Sequence, residues 1–149
     1  MLVSSERESK SEPGQDHDQP LVVKICDMGL AKTNRMLSTS NEVGTAHWAA
    51  PEALRHEPYT CAADVWSFGV ILYELVTLRT PYGDMPTLQV AHEVAYNGLT
   101  LVIPPSLAAD RPALAQLIAS CWAQLPAGRP SFPELAAELV RMRSAGRLL

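Results

Sequence analysis

No cluster of basic residues occurs in this chain, and charge of either sign is sparse: 19% of its 149 residues are charged, for a net charge of −4. Binding to nucleic-acid phosphates draws on grouped Lys and Arg, so no nucleic-acid partner is expected. Cysteine is scarce as well. Cys26, Cys61 and Cys121 are odd in number and far apart, and the histidines His17, His47, His56 and His92 form no ligand pairs. Both patterns argue against a disulfide framework and a zinc site, and for a reducing intracellular setting. The N-terminus has neither the basic nor the apolar region of a signal peptide. The longest apolar tract, "VWSFGVILYELVTL", is interrupted by Ser67 and Glu74 and falls short of the roughly 20 residues a membrane span requires. It reads as a buried helix, with no membrane span expected and a cytoplasmic location inferred.

What is present is apolar bulk. Hydrophobic residues make up 47% of the chain, enough for one globular domain with its own core. The first 20 residues stand apart: "SSERESKSEPGQDHDQP" is polar, acidic and nearly free of apolar side chains. Such a segment cannot offset the entropy of ordering, so residues 1–20 are expected to be flexible, with a possible short strand at 2–3. "LVVKICD" then reads as a strand. It ends in Asp27, with Gly29 two positions on; an Asp-x-Gly at a strand end is either an ordinary turn or a carboxylate placed to hold a metal. The next stretch, "MGLAKTNRMLSTSNEVGTAHWAAPE", keeps no period, and irregular segments of that length in compact domains usually carry function.

Helices dominate the remainder. Pro51 opens a short helix in "PEALRH", and Thr60 is placed to cap a helix over Ala62 to Thr77. "TPYGDMP" is a loop. "TLQVAHEVAYNG" has helical spacing and closes on Gly98, after which "VIPPS" breaks the chain. In "RPALAQLIASCWAQ" one face carries Leu114, Leu117, Ile118 and Cys121; in "SFPELAAELVRM" Ser131 caps and Leu135, Leu139 and Met142 form the face.

Five stretches stand in a telling order: "CDMGLAK", "GTAHWAAPE", "DVWSFGVILYEL", "PYGD" and "CWAQLPAGRPSF". Together, over about Leu21 to Met142, they resemble the C-terminal lobe of a eukaryotic protein kinase. "GTAHWAAPE" is similar to the serine/threonine pattern and "CWAQLPAGRPSF" to the tyrosine kinase and tyrosine kinase-like branches, so the combination resembles tyrosine kinase-like serine/threonine kinases. The implied fold is mostly α, a helical C-lobe over 21–142 with a short β-hairpin remnant before it and a tail over 143–149.

The resemblance also implies roles. Asp27 would be a metal ligand, with Cys26, Asp27, Met28 and Gly29 at the nucleotide pocket; Met28 stands where the family usually has Phe, and a flexible thioether can fill the same slot. A small buried strand residue is the plainer reading of Cys26. Thr33, Ser38, Thr39 and Ser40 would be activation-loop phosphosites, or simply loop residues. Thr45, Ala46, His47 and Trp48 would form the floor on which an acceptor peptide lies. Glu52 and Arg129 would make a buried ion pair, and Asp64 would hold a catalytic loop from the head of its helix. ATP and Mg2+ are the implied cofactors of a complete kinase, and a protein substrate or partner protein the implied partner.

The 149 residues contain no Gly-rich loop, no strand Lys with its helix Glu, and no His-Arg-Asp loop with its Asn, so no catalytic residue is assigned. "MLVSS" has the form of the short strand that follows that Asn, which makes Met1 read as an internal methionine of a longer kinase; a true start with a disordered tail is the alternative. Two functions follow. One is a partial kinase domain from a parent that phosphorylates Ser/Thr, inactive by itself; the other is a non-catalytic kinase-like binding or scaffold module.

Overall fold

The computed structural model describes residues 3–4, 23–25 and 46–146, and the chain divides into two units, Met1–Thr33 and Asn34–Leu149. In the first unit, β1 (Val3–Ser4) pairs antiparallel with β2 (Lys24–Ile25), with Val3 opposite Ile25 and Ser4 opposite Lys24. β-branched Val and Ile suit such a pairing. The first strand overlaps the expected 2–3 at Val3, and the second lies within "LVVKICD".

The second unit is helical. A single turn, α1 (Pro51–Leu54), precedes the long α2 (Ala62–Thr77), followed by α3 (Thr87–Asn97). Then come α4 (Pro105–Asp110), α5 (Pro112–Cys121), a 3-10 turn at Pro126–Gly128, and α6 (Phe132–Ser144). The core gathers on α2, whose Trp66 and Val70 are fully buried beside Tyr73. Onto it come Val90 and Val94 of α3, Leu114, Ile118 and Cys121 of α5, and Leu135 and Met142 of α6. The expected faces of α5 and α6 are therefore the inward ones, with Leu117 and Leu139 half-buried at their edges.

Helix ends follow local chemistry. Ser131 and Glu134 form a reciprocal capping box: the Ser131 amide donates to Glu134 Oε2 at 2.7 Å, and the Glu134 amide to Ser131 Oγ at 3.4 Å. At the other end of α6, Arg141 and Arg143 complement the negative end of the helix dipole. That helix runs to Ser144, two residues into the stretch read as tail. Gly98 closes α3 at φ 71°, where an L side chain would be strained. Thr60 caps α2 less directly than expected. The N-cap position is Cys61, without a side-chain bond, while Thr60 Oγ1 accepts from the Ala62 amide at 3.3 Å. Helix α4 occupies the region read as a break. Pro104 and Pro105 sit at its N-cap and first position, where no amide is required, and none of its residues is buried, so no apolar period announces it. Among the described residues no helix is long and apolar enough to cross a membrane.

The α2–α5 crossing depends on Gly69. A Cβ there would stand 2.5 Å from Cys121 Cβ and 2.9 Å from Trp122 Nε1. Gly69→Ala is expected to lower stability by about 1–3 kcal/mol, the overpacking outweighing the gain in helix propensity, as read from chemical unfolding. Burial at the same crossing pushes the Cys121 thiol from 9.0 to about 11. The unfolded thiol ionises first, so this group's contribution is intact below pH 9 and is lost as the pH rises towards about 11. Unfolding midpoints measured across that range should fall, and Cys121→Ala should flatten the decline.

Candidate functional site

A turn at Ala46–Trp48 carries the chain onto the core, with the Ala49 amide donating to the Ala46 carbonyl at 3.3 Å. Ala46 and Ala50 are buried, and their small side chains let the backbone lie close to the helices beneath. Ala50 is extended, with ψ 153°, the conformation favoured before proline. Pro51 then starts α1 and delivers Glu52 into the interior on its first turn.

Glu52 meets Arg129, 77 residues away, in a two-pronged bond: Nη1 donates to Oε1 at 2.6 Å and Nη2 to Oε2 at 2.9 Å. Both side chains are almost wholly buried, a setting in which each charge depends on the other. The remaining guanidinium donors are used as well. Nε reaches the Ala123 carbonyl at 2.8 Å and Nη1 the Ala62 carbonyl at 2.9 Å, while the guanidinium carbon stands 5.1 Å from the centroid of the Trp66 ring. One arginine thus ties together α1, the start of α2 and the loop after α5. On the far side of α1, Arg55 donates to the Ala95 carbonyl of α3 at 2.6 Å and pairs with Glu57.

The segment ahead of Pro51 is held by α2. Ser67 Oγ donates to the Trp48 carbonyl at 2.7 Å, and Trp48 Nε1 donates to Glu74 Oε2 at 2.7 Å. The His47 ring lies between Trp48, at 5.9 Å between centroids, and Tyr82, at 6.2 Å, distances typical of tilted aromatic pairs. Tyr82 has a left-handed backbone, φ 59°, and burial pushes its phenol up to about 12. Asp64 stands in the first turn of α2, exposed at its rim; the protein around it still desolvates its carboxyl and raises its pKa.

Of the residues singled out in the sequence, the structure brings Glu52 and Arg129 together and puts Ala46, His47 and Trp48 on one turn. No hydrogen bond joins Asp64 to the Glu52–Arg129 pair. Cys26, Asp27, Met28, Gly29, Thr33, Ser38, Thr39, Ser40 and Thr45 lie outside the described residues. Ser67, Glu74 and Tyr82 touch the turn but were not anticipated. Ser67 and Glu74 did leave a signal: two polar side chains seven apart in an apolar helix share one edge. Tyr82 left none.

Removing one partner of the buried pair strands the other. Glu52→Gln and Arg129→Leu are each expected to lower unfolding free energy by about 3–5 kcal/mol in denaturant titrations. An apolar double replacement should recover part of that loss.

Comparison with known proteins agrees with this geometry. The family model described as protein tyrosine and serine/threonine kinase matches residues 17–139. The chain is 44% identical over 128 residues to a probable serine/threonine-protein kinase, SIS8, of Arabidopsis thaliana, covering 85% of this chain and 12% of that protein. It is 44% identical over 117 residues to the serine/threonine-protein kinase CTR1 of Arabidopsis thaliana, covering 77% of this chain and 14% of that one. It is 42% identical over 117 residues to mitogen-activated protein kinase kinase kinase 11 of Homo sapiens, covering 78% and 14%. The chain thus spans a small part of the length of these relatives. It belongs to the eukaryotic protein kinase family, is similar to its tyrosine kinase-like serine/threonine members, and forms part of the kinase domain, the helical C-lobe.

Proposed function

We propose that these residues supply the acceptor-binding part of a domain that moves the γ-phosphoryl group of ATP to serine or threonine hydroxyls of proteins. The observation that carries this reading is the turn at Ala46–Trp48, fixed to α2 on one side and, through Glu52 and Arg129, to the core on the other. Phosphoryl transfer depends largely on positioning, and a rigid floor for the acceptor is what such a reaction asks of this part of the protein. Thr45, Ala46, His47 and Trp48 form that floor, Glu52 and Arg129 hold it to the core, and Asp64 in this reading holds a catalytic loop.

Among the described residues no group of three or more His, Cys, Asp or Glu side chains could hold a metal ion. The metal ligand in this reading is Asp27, outside those residues, whose hard carboxylate oxygen suits Mg2+. Bound ATP and Mg2+ supply the phosphoryl group and neutralise its charge. Cys26, Met28 and Gly29 line the nucleotide pocket beside Asp27, and phosphate on Thr33, Ser38, Thr39 or Ser40 orders the loop that follows. The cellular setting in this reading is the cytoplasm, and the partner a protein substrate.

The absence of a His-Arg-Asp loop and its Asn from these 149 residues favours a second reading for the isolated chain, a binding module without catalysis. The full-length protein, incubated with radiolabelled ATP and a protein acceptor, is expected to yield phosphoserine or phosphothreonine, and Asp27→Asn to bring transfer down to background. The 149-residue chain alone should transfer none. A full-length protein that retains acceptor binding but transfers no phosphate would overturn the enzymatic reading and support the module.

A further inference from the structure

A cavity of about 590 Å³ opens between the loop that follows α2 and the segment that follows α3, a volume in the range of ligand-binding clefts. Its walls are mostly apolar: the loop contributes Met85, the segment Leu99, Leu101 and Val102, and two tyrosines, Tyr73 and Tyr82, complete them. Tyr73 is only 7% exposed, and its phenol makes no hydrogen bond among the described residues. A buried hydroxyl without a partner is unfavourable. The polar side-chain atoms sealed off entirely without a partner, among the described residues, are Nε1 of Trp66 and of Trp122. The Tyr73 phenol is not one of them, so it opens onto the cavity that the residue lines. Tyr82 belongs to two places. It lines the cavity, and its ring lies 6.2 Å from that of His47, which puts the cavity next to the turn at Ala46–Trp48.

We infer that this cavity receives a tyrosine or tryptophan side chain of the acceptor protein, at a position other than the phosphorylated hydroxyl. Such a side chain has an apolar body to lie against Leu99 and Leu101 and a polar tip to bond the Tyr73 phenol. Ring pairing with Tyr73 and Tyr82, and contact between a ring and the Met85 thioether, favour it over an aliphatic side chain. Phenylalanine fills the same space and leaves the phenol unbonded. An aromatic anchor in a pocket beside the turn adds affinity for the acceptor without touching the reacting atoms. This inference deepens the kinase reading given above and rests on it.

The test uses the full-length protein and a serine-containing peptide in which Tyr, Trp, Phe, Leu or Ala is placed at each flanking position in turn. In one register Tyr or Trp is expected to lower KM about tenfold relative to Ala, with Phe intermediate and Leu close to Ala. Val102 is 80% exposed at the cavity, so Val102→Glu puts a charge at the apolar wall without disturbing the core, and should bring the ratio of KM values for the Ala and Tyr peptides down to about one. Tyr73→Phe keeps the ring and removes the phenol oxygen; the Tyr and Phe peptides should then have equal KM. Fluorescence anisotropy of the same peptides with the serine replaced by Ala gives the same comparisons as binding constants, without phosphate transfer. No register that favours an aromatic side chain, a preference that Val102→Glu leaves intact, or a preference for Tyr over Phe that Tyr73→Phe leaves intact would overturn the proposal. If the wild-type protein transfers no phosphate, the kinase reading fails instead, and the anisotropy series alone decides whether the cavity takes the aromatic side chain.

Discussion

The buried bond between Glu52 and Arg129 is the constraint on which the rest of the helical unit depends. Its partners come from opposite ends of the unit, 77 residues apart, and neither charge has water to fall back on. Arg129 fills its remaining donor sites with the Ala62, Ala123 and Gln124 carbonyls and rests against Trp66, the most deeply buried of the aromatic side chains. Closing this bond therefore fixes three things together: where α1 sits, where α2 starts, and how the loop after α5 returns. A planar guanidinium with two parallel prongs also sets angles, which a lysine could not do.

Around that pair the segment from Ala46 to Leu54 is held at intervals. Ser67 and Glu74 grip Trp48, the alanines at 46 and 50 let the backbone settle on the core, Glu52 is locked inside, and Arg55 is tied to α3. A stretch with no regular period, from Ala46 to Ala50, is thereby tied to α2 and to the core. Left-handed backbone occurs outside this stretch at His56, Leu78 and Tyr82.

Much of this was legible in the sequence, and the parts that were not have physical reasons. The bounds of α2 and α3 followed from apolar spacing between clear stops, and α6 announced itself through the cap Ser131 and the face of Leu135, Leu139 and Met142. Helix α4 stayed hidden because only Leu107 packs against the core, none of its residues is fully buried, and it opens on two prolines. The pairing of Glu52 with Arg129 came from motif order alone, since no local pattern links residues that far apart. The bond from Trp48 to Glu74 spans 26 positions and was visible only as an unexplained carboxylate in an apolar helix. The metal and nucleotide assignments at Cys26 to Gly29, and the phosphosites from Thr33 to Ser40, lie outside the described residues and stand as proposals.

The central claim is that the turn held in this way is where a protein acceptor lies. A serine-containing peptide that the full-length protein phosphorylates, carrying a photoreactive benzophenone beside the acceptor serine, tests it directly. Irradiation followed by mass spectrometry should locate the adduct at Ala46 to Trp48 or at Tyr82. Adducts confined to the outer surfaces of α5 and α6, with none on that turn, would contradict the account.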